Sequence, residues 1–272
     1  MRIDQFCAHT HTTFCDGKDT AEAMVQEALR LGFVTLGFSG HGYAPHDPYS
    51  MPPETEAAFR QEILQLQQAC AGQLEILLGQ EHDALSPYAD YPYDYLIESV
   101  HYVKAPDAFC PVDWSVQDLN AAVQAHFGGD IYAYCRAYFE TCAKAYEHSP
   151  AQIAGHLDLV SKFNEDGALF DAADPRYLRP AMDAAACAVE HGLVLEVNTG
   201  AIARGYRTTP YPSEALLRHI RQLGGQVMIN SDCHDLRQLT CHYKPSAELL
   251  RACGFAHAAV LTKTGFQEIG LL

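Results

Sequence analysis

At 272 residues, 48% of them apolar and 19% charged, the chain is long enough for one large domain or two small ones. Its formal net charge of −16 argues against binding nucleic acid or anionic membrane, since both need a basic surface, and fits a carboxylate-bearing metalloprotein. No apolar run approaches the ~20 residues of a membrane span, and MRIDQFCAHT has no secretory apolar region, so a cytoplasmic protein with ten reduced, structural cysteines is expected.

Along the chain, apolar strands alternate with amphipathic helices. The first short strand runs into CAHTH, carrying His9 and His11, with Asp16 in the loop beyond. Alternation puts the two imidazoles on one face of an extended chain. Asp19-Thr20-Ala21-Glu22 reads as a cap before the helix AEAMVQEALRL, which Gly32 closes. A strand at 35–39 leads to His41 in SGHG. A helix over 54–70 precedes the strand EILLGQ at 75–80, which leads to Glu81. A fourth strand at 95–100 runs into His101. An insertion follows, with helices near 116–127 and 131–147. The fifth strand, 153–155, precedes His156, and a helix spans 175–191. The sixth strand, LVLEVN at 193–198, carries Glu196 and Asn198. A helix at 214–223 leads to the seventh strand at 226–230, followed by Asp232 and His234. A weak eighth strand is expected at 258–261. Such alternation implies an α/β fold with a parallel sheet, closed or distorted into a barrel.

In a parallel barrel the C-terminal ends of all strands share one face. Seven strands would then aim polar groups into one mouth: the sixth Glu196 and Asn198, and the other six His9, His11, Asp16, His41, Glu81, His101, His156, Asp232 and His234. Imidazole nitrogen with carboxylate oxygen suits zinc, manganese or iron, whereas calcium takes oxygen alone. The set exceeds the four ligands of one tetrahedral zinc, so two or three divalent ions are expected, with Glu81 and Asp232 as bridges. The plain alternative is a polar mouth of hydrogen-bonded histidines, which would have to recur on every strand.

HTH…D, SGHG, Glu81, SVH, GHLDLV and NSDCH resemble, in order and over nearly the full chain, the polymerase-and-histidinol-phosphatase (PHP) superfamily. SVHYV, GHLDLVSKFN and EVNTG…YPS are most similar to its histidinol-phosphate phosphatase branch. The resemblance implies a distorted seven-stranded, TIM-like β/α barrel over one domain, 1–272, with a trinuclear metal centre at the strand C-terminal ends. Carried over position by position, it implies the nine residues above as ligands. Many relatives have His where Asp16 stands, and His41 has the alternative of contacting the phosphate.

The chemistry expected is hydrolysis of a small phosphomonoester by in-line attack of a metal-bridging hydroxide, with Glu81 and Asp232 holding the ions. By resemblance the ester is L-histidinol phosphate; another small-molecule phosphoesterase of the superfamily, or a non-catalytic metal-binding domain, are the rivals. Among only 18 Lys and Arg, Lys162, Arg204 and Arg207 stand near the motifs and are candidates for binding phosphate. His41 is the candidate general acid, with Asp158 or His82 as substitutes. Tyr102 or Tyr206 would face the alcohol, Glu196 and Asn198 would form a buried polar pair or part of the pocket, and TTPYPS reads as a rigid turn.

Overall fold

In the computed structural model, which describes residues 1–271, segments Thr35–Phe38, Val194–Asn198 and Val227–Asn230 are buried at every position. This is the mark of strands covered on both faces. The chain runs β1 (Phe6–Cys7), α1 (Ala21–Leu31), β2 (Thr35–Phe38), α2 (Pro53–Ala69), β3 (Glu75–Asp83) and β4 (Tyr95–Ser99). The insertion is a hairpin, β5 (Tyr102–Lys104) and β6 (Phe109–Pro111), followed by α3 (Val116–His126) and α4 (Ile131–His148). Then come β7 (Ile153–Ala154), α5 (Pro175–Glu190), β8 (Val194–Asn198), the single turn α6 (Gly200–Ala203) and α7 (Glu214–Gln222). The chain ends with β9 (Val227–Asn230), α8 (Tyr243–Ala252), β10 (His257–Thr262) and β11 (Gly265–Gly270). The α1 cap forms as the sequence suggests: the Thr20 hydroxyl accepts from Ala23 N at 3.2 Å, and Gly32 takes the left-handed conformation at φ 75°.

Seven parallel strands form one sheet in the order β1-β2-β3-β4-β7-β8-β9. Its two ends meet beyond β1 and β9, where His11 N donates to Cys233 O (2.9 Å) and Cys233 N donates to His9 O (3.1 Å). The Asn230 side chain stands in for a ladder partner by accepting from Ala8 N at 2.8 Å. The result is a nearly closed, TIM-like barrel.

Segment 258–261 is not an eighth barrel strand. It lies in β10, which pairs antiparallel with β11 alone. Ala259 and Leu261 instead pack on the inward residues Ala8, Leu77, Tyr95, Ile97, Ile153, Val194 and Met228, near the strands' N-terminal ends. The hairpin thus plugs the barrel floor and leaves the opposite end for polar groups. All ten cysteines are free. Among the described residues no helix is long and apolar enough to cross a membrane.

The floor depends on two glycines. The buried Tyr95 ring lies across the barrel, its hydroxyl donating to Ala8 O at 2.5 Å. A Cβ on Gly37 would stand 2.3 Å from that hydroxyl oxygen, and one on Gly79 2.2 Å from Tyr95 Cζ. Gly79→Ala is therefore expected to destabilise the fold by about 1–3 kcal/mol through overpacking. Urea unfolding reads this directly, and an unchanged midpoint would mean that Tyr95 has room to step aside.

Candidate metal centre

Alternation along β3 turns Glu81 inward, where its carboxylate is only 1% exposed. Oε2 lies 3.2 Å from His9 Nε2, 3.4 Å from His11 Nε2 and 3.1 Å from His41 Nδ1. Oε1 lies 3.3 Å from His101 Nε2 and 2.9 Å from His156 Nε2, and accepts from the Ser99 hydroxyl at 2.7 Å. One carboxylate therefore touches five imidazoles from four strand ends. Asp232 Oδ1 faces His9 Nε2 at 3.6 Å and His11 Nε2 at 3.4 Å. Asp16 reaches His11, His41 and His234 at 3.5, 3.6 and 3.1 Å. The structure thus brings all nine sequence-selected donors to one place.

The donors fit divalent ions. Ligands about 2.0–2.2 Å from one tetrahedral ion stand roughly 3.3 Å apart, which is the spacing seen here. His9 Nε2, His11 Nε2 and Glu81 Oε2 are buried without a hydrogen-bond partner, a costly arrangement that a cation between them would relieve. Three compact sets can each surround an ion: His9, His11 and Asp232; His41, Glu81 and His101; and His11, Asp16, His41 and His234. The buried imidazoles and carboxylates stabilise one another's charged forms. Burial would raise the Glu81 carboxyl, yet His9, His41 and His101 hold it well below its ordinary value. Burial would lower His9, but Glu196, Glu81 and Asp232 push it well above.

Residues outside the nine set the ring orientations. Glu196 Oε1 lies 2.7 Å from His9 Nδ1, which leaves Nε2 facing Glu81 and Asp232. Glu196 is itself fixed by Asn198 Nδ2, Asn230 Nδ2 and His156 N, so Glu196 and Asn198 form a buried polar pair. Asp83 Oδ2 accepts from His101 N at 3.3 Å and lies 3.5 Å from its Nδ1, while Oδ1 meets His46 Nε2 at 3.2 Å. Asp83 was not among the sequence candidates, although alternation from Glu81 points both inward.

The same alternation turns His82 outward. Its ring stacks on Tyr88 and meets Glu98 and the Ser86 carbonyl, away from the mouth. Asp158 is also withdrawn: fully buried, it accepts from Ser213 N at 3.0 Å and anchors the TTPYPS turn. Neither substitute can serve as the general acid. His41 lies at the mouth, but both of its ring nitrogens face carboxylates.

A cavity of about 630 Å³ opens over the cluster, lined in part by His101, Lys162, Arg204, Tyr102 and Tyr206. Arg204 Nη2 donates to Asp232 Oδ2 at 2.9 Å, and Nη1 lies 2.9 Å from His234 Nδ1. Gly200 permits this: a Cβ there would meet Asp232 Oδ2 at 2.5 Å. The Lys162 ammonium donates to Asp113 Oδ2 (3.1 Å) and O (2.8 Å). Arg207 does not line the cavity. Its guanidinium is consumed by Ser161, Thr209 and Glu165, which tie the loop after β8 to the one after β7.

The PHP domain family profile matches residues 8–200. The chain is 26% identical over 279 aligned residues to the probable histidinol-phosphatase of Schizosaccharomyces pombe, covering 95% of this chain and 87% of that protein. It is 26% identical over 266 residues to the histidinol-phosphatase of Bacillus subtilis, covering 88% and 97%. Among solved structures it superposes on the putative histidinol phosphatase of Listeria monocytogenes with a TM-score of 0.76 at 21% identity, over 88% of this chain and 98% of that one. The histidinol phosphate phosphatase of Lactococcus lactis, solved with zinc, L-histidinol and phosphate, gives 0.70 at 21% identity over 96% and 98%. At that identity these superpositions establish the shared fold.

Proposed function

Because the chain belongs to the PHP domain family, we propose that it hydrolyses L-histidinol phosphate to L-histidinol and phosphate, as one domain spanning 1–272 and working in the cytoplasm. The observation that carries this reading is the cluster itself: eight metal-type donors form three compact sets at one barrel mouth, His156 joins them through Glu81, and buried nitrogens and an oxygen there are satisfied by nothing else. We assign all nine as ligands of two or three zinc, manganese or iron ions, with Glu81 and Asp232 as bridges. Ions held there supply Lewis acidity, acidifying a water and offsetting charge on the phosphate oxygens.

The chain's own groups do the rest. Arg204 grips phosphate oxygens from the Asp232 side, and the Lys162 ammonium adds a second charge from the Asp113 side. His41, held at both nitrogens, serves as a ligand in place of the proton donor. Arg207 braces the wall between the two loops. Glu196 holds the His9 tautomer.

The test is phosphate release from L-histidinol phosphate by protein loaded with zinc or manganese, with metal counted on the same sample. A sample carrying two or more ions per chain that releases none would overturn the reading. Glu196→Gln is expected to weaken metal affinity about 10- to 100-fold by freeing the His9 ring. Competition with a chromophoric chelator measures this; wild-type affinity would reduce Glu196 to a packing role.

A further inference from the structure

Part of the cavity lining has no task in phosphate chemistry. Asp47 and Tyr49 come from the loop after β2, and Tyr102, Asp113 and Trp114 from β5 and the segment after β6; all five line the cavity. Tyr49 and Trp114 are 51% and 43% exposed, and they meet edge to face at 6.1 Å. Trp114 makes the same contact with Tyr102, whose other edge rests on His46 at 4.8 Å. Asp113 is occupied by Lys162, whereas no cation among the described residues pairs with Asp47. One Asp47 oxygen accepts from Tyr49 N at 2.8 Å, which fixes the carboxylate within its loop. Tyr102 is only 2% exposed, yet its hydroxyl has no hydrogen-bond partner. Burial, with Asp47 as the leading nearby charge, keeps that phenol protonated and therefore a donor.

An unpaired acid, an unsatisfied buried hydroxyl and two exposed rings form a receptor for a flat, cationic group. We propose that Asp47, Tyr102 and Trp114 select the alcohol half of the ester: Asp47 takes the ammonium, Trp114 covers the azole ring, and the Tyr102 hydroxyl donates to a polar atom of the same group. The identity of that alcohol as histidinol rests on the function proposed above; the demand for a cationic, ring-bearing amino alcohol rests on these residues.

Trp114 is the chain's single tryptophan, so its emission reports on this wall alone. Metal-loaded protein titrated calorimetrically with L-histidinol should bind it, change Trp114 emission over the same range, and bind the analogue lacking the amino group more weakly. Asp47→Asn should weaken histidinol binding about 10- to 100-fold, the loss of one hydrogen bond to a charged group. Tyr102→Phe, which keeps the packing, should weaken it several-fold, with metal content and circular dichroism confirming that both variants fold. Equal affinity in Asp47→Asn, equal affinity for the deaminated analogue, or binding with constant Trp114 emission would each overturn the subsite. If histidinol binds as described while its phosphate ester stays intact, hydrolysis falls and the subsite stands. If the ester is hydrolysed but Asp47→Asn binds histidinol like wild type, the subsite falls alone.

Discussion

Glu81→Ala is expected to abolish turnover, lowering kcat by at least ~10³-fold, since a Lewis-acid centre supplies several kcal/mol of transition-state stabilisation. The reason is positional. Glu81 Oε2 faces His9, His11 and His41, while Oε1 faces His101 and His156, so removing one side chain strips the shared partner from five imidazoles. Those rings would be left as a buried, mutually repelling group, and metal content should fall by more than one ion per chain. Elemental analysis beside steady-state kinetics decides the matter. Near-normal turnover at normal metal content would remove Glu81 from the bridging role. Asp16→Ala should be milder, because Asp16 sits at the partly open edge and meets only His11, His41 and His234.

Arg204→Ala carries the second-largest expectation. Its guanidinium reaches both a carboxylate oxygen and the carbonyl of Asp232 while lining the cavity. Losing a desolvated charge partner of this kind costs about 2–5 kcal/mol, roughly 30- to 5,000-fold in kcat/KM. Lysine at this position should recover only part, because an ammonium cannot span the two oxygens that the planar fork reaches. Arg207→Ala should instead show up in thermal stability, since its partners are Ser161, Thr209 and Glu165. Wild-type kcat/KM in Arg204→Ala would leave Lys162 as the phosphate cation; lost metal with unchanged kcat/KM per bound ion would make Arg204 a positioning residue for Asp232.

The candidate donors were legible because chain order and period carry the needed information. A parallel barrel sends every strand end to one face, so a histidine or carboxylate at each strand end converges whatever the loops do. Which way a loop cation points is set by partners far away in sequence. Arg207 is captured by Ser161, 46 positions earlier, and nothing near GYRTT announces it. His82 and Asp83 were readable: one step along β3 reverses the face, two steps restore it. The apolar stretch at 258–261 looks like a barrel strand, but the turn through Gly265 at φ 101° folds it back on β11. The aromatic wall around Trp114 arises from the insertion between β4 and β7, where periodicity says nothing about which loops face each other.

The seam between β1 and β9 joins segments 222 residues apart, a long loop to close before either side gains a partner. His9 and His11 lie on one side of it, Asp232 and His234 on the other. A chain that has folded every strand but not yet joined its edges therefore lacks Asp232 and His234 beside His9 and His11, and of the three donor sets only that of His41, Glu81 and His101 is complete. Closing the ring completes the other two sets at once, so a partly folded molecule is short of the Asp232 bridge assigned above, and reopening the seam is expected to lower activity before the rest of the barrel is lost.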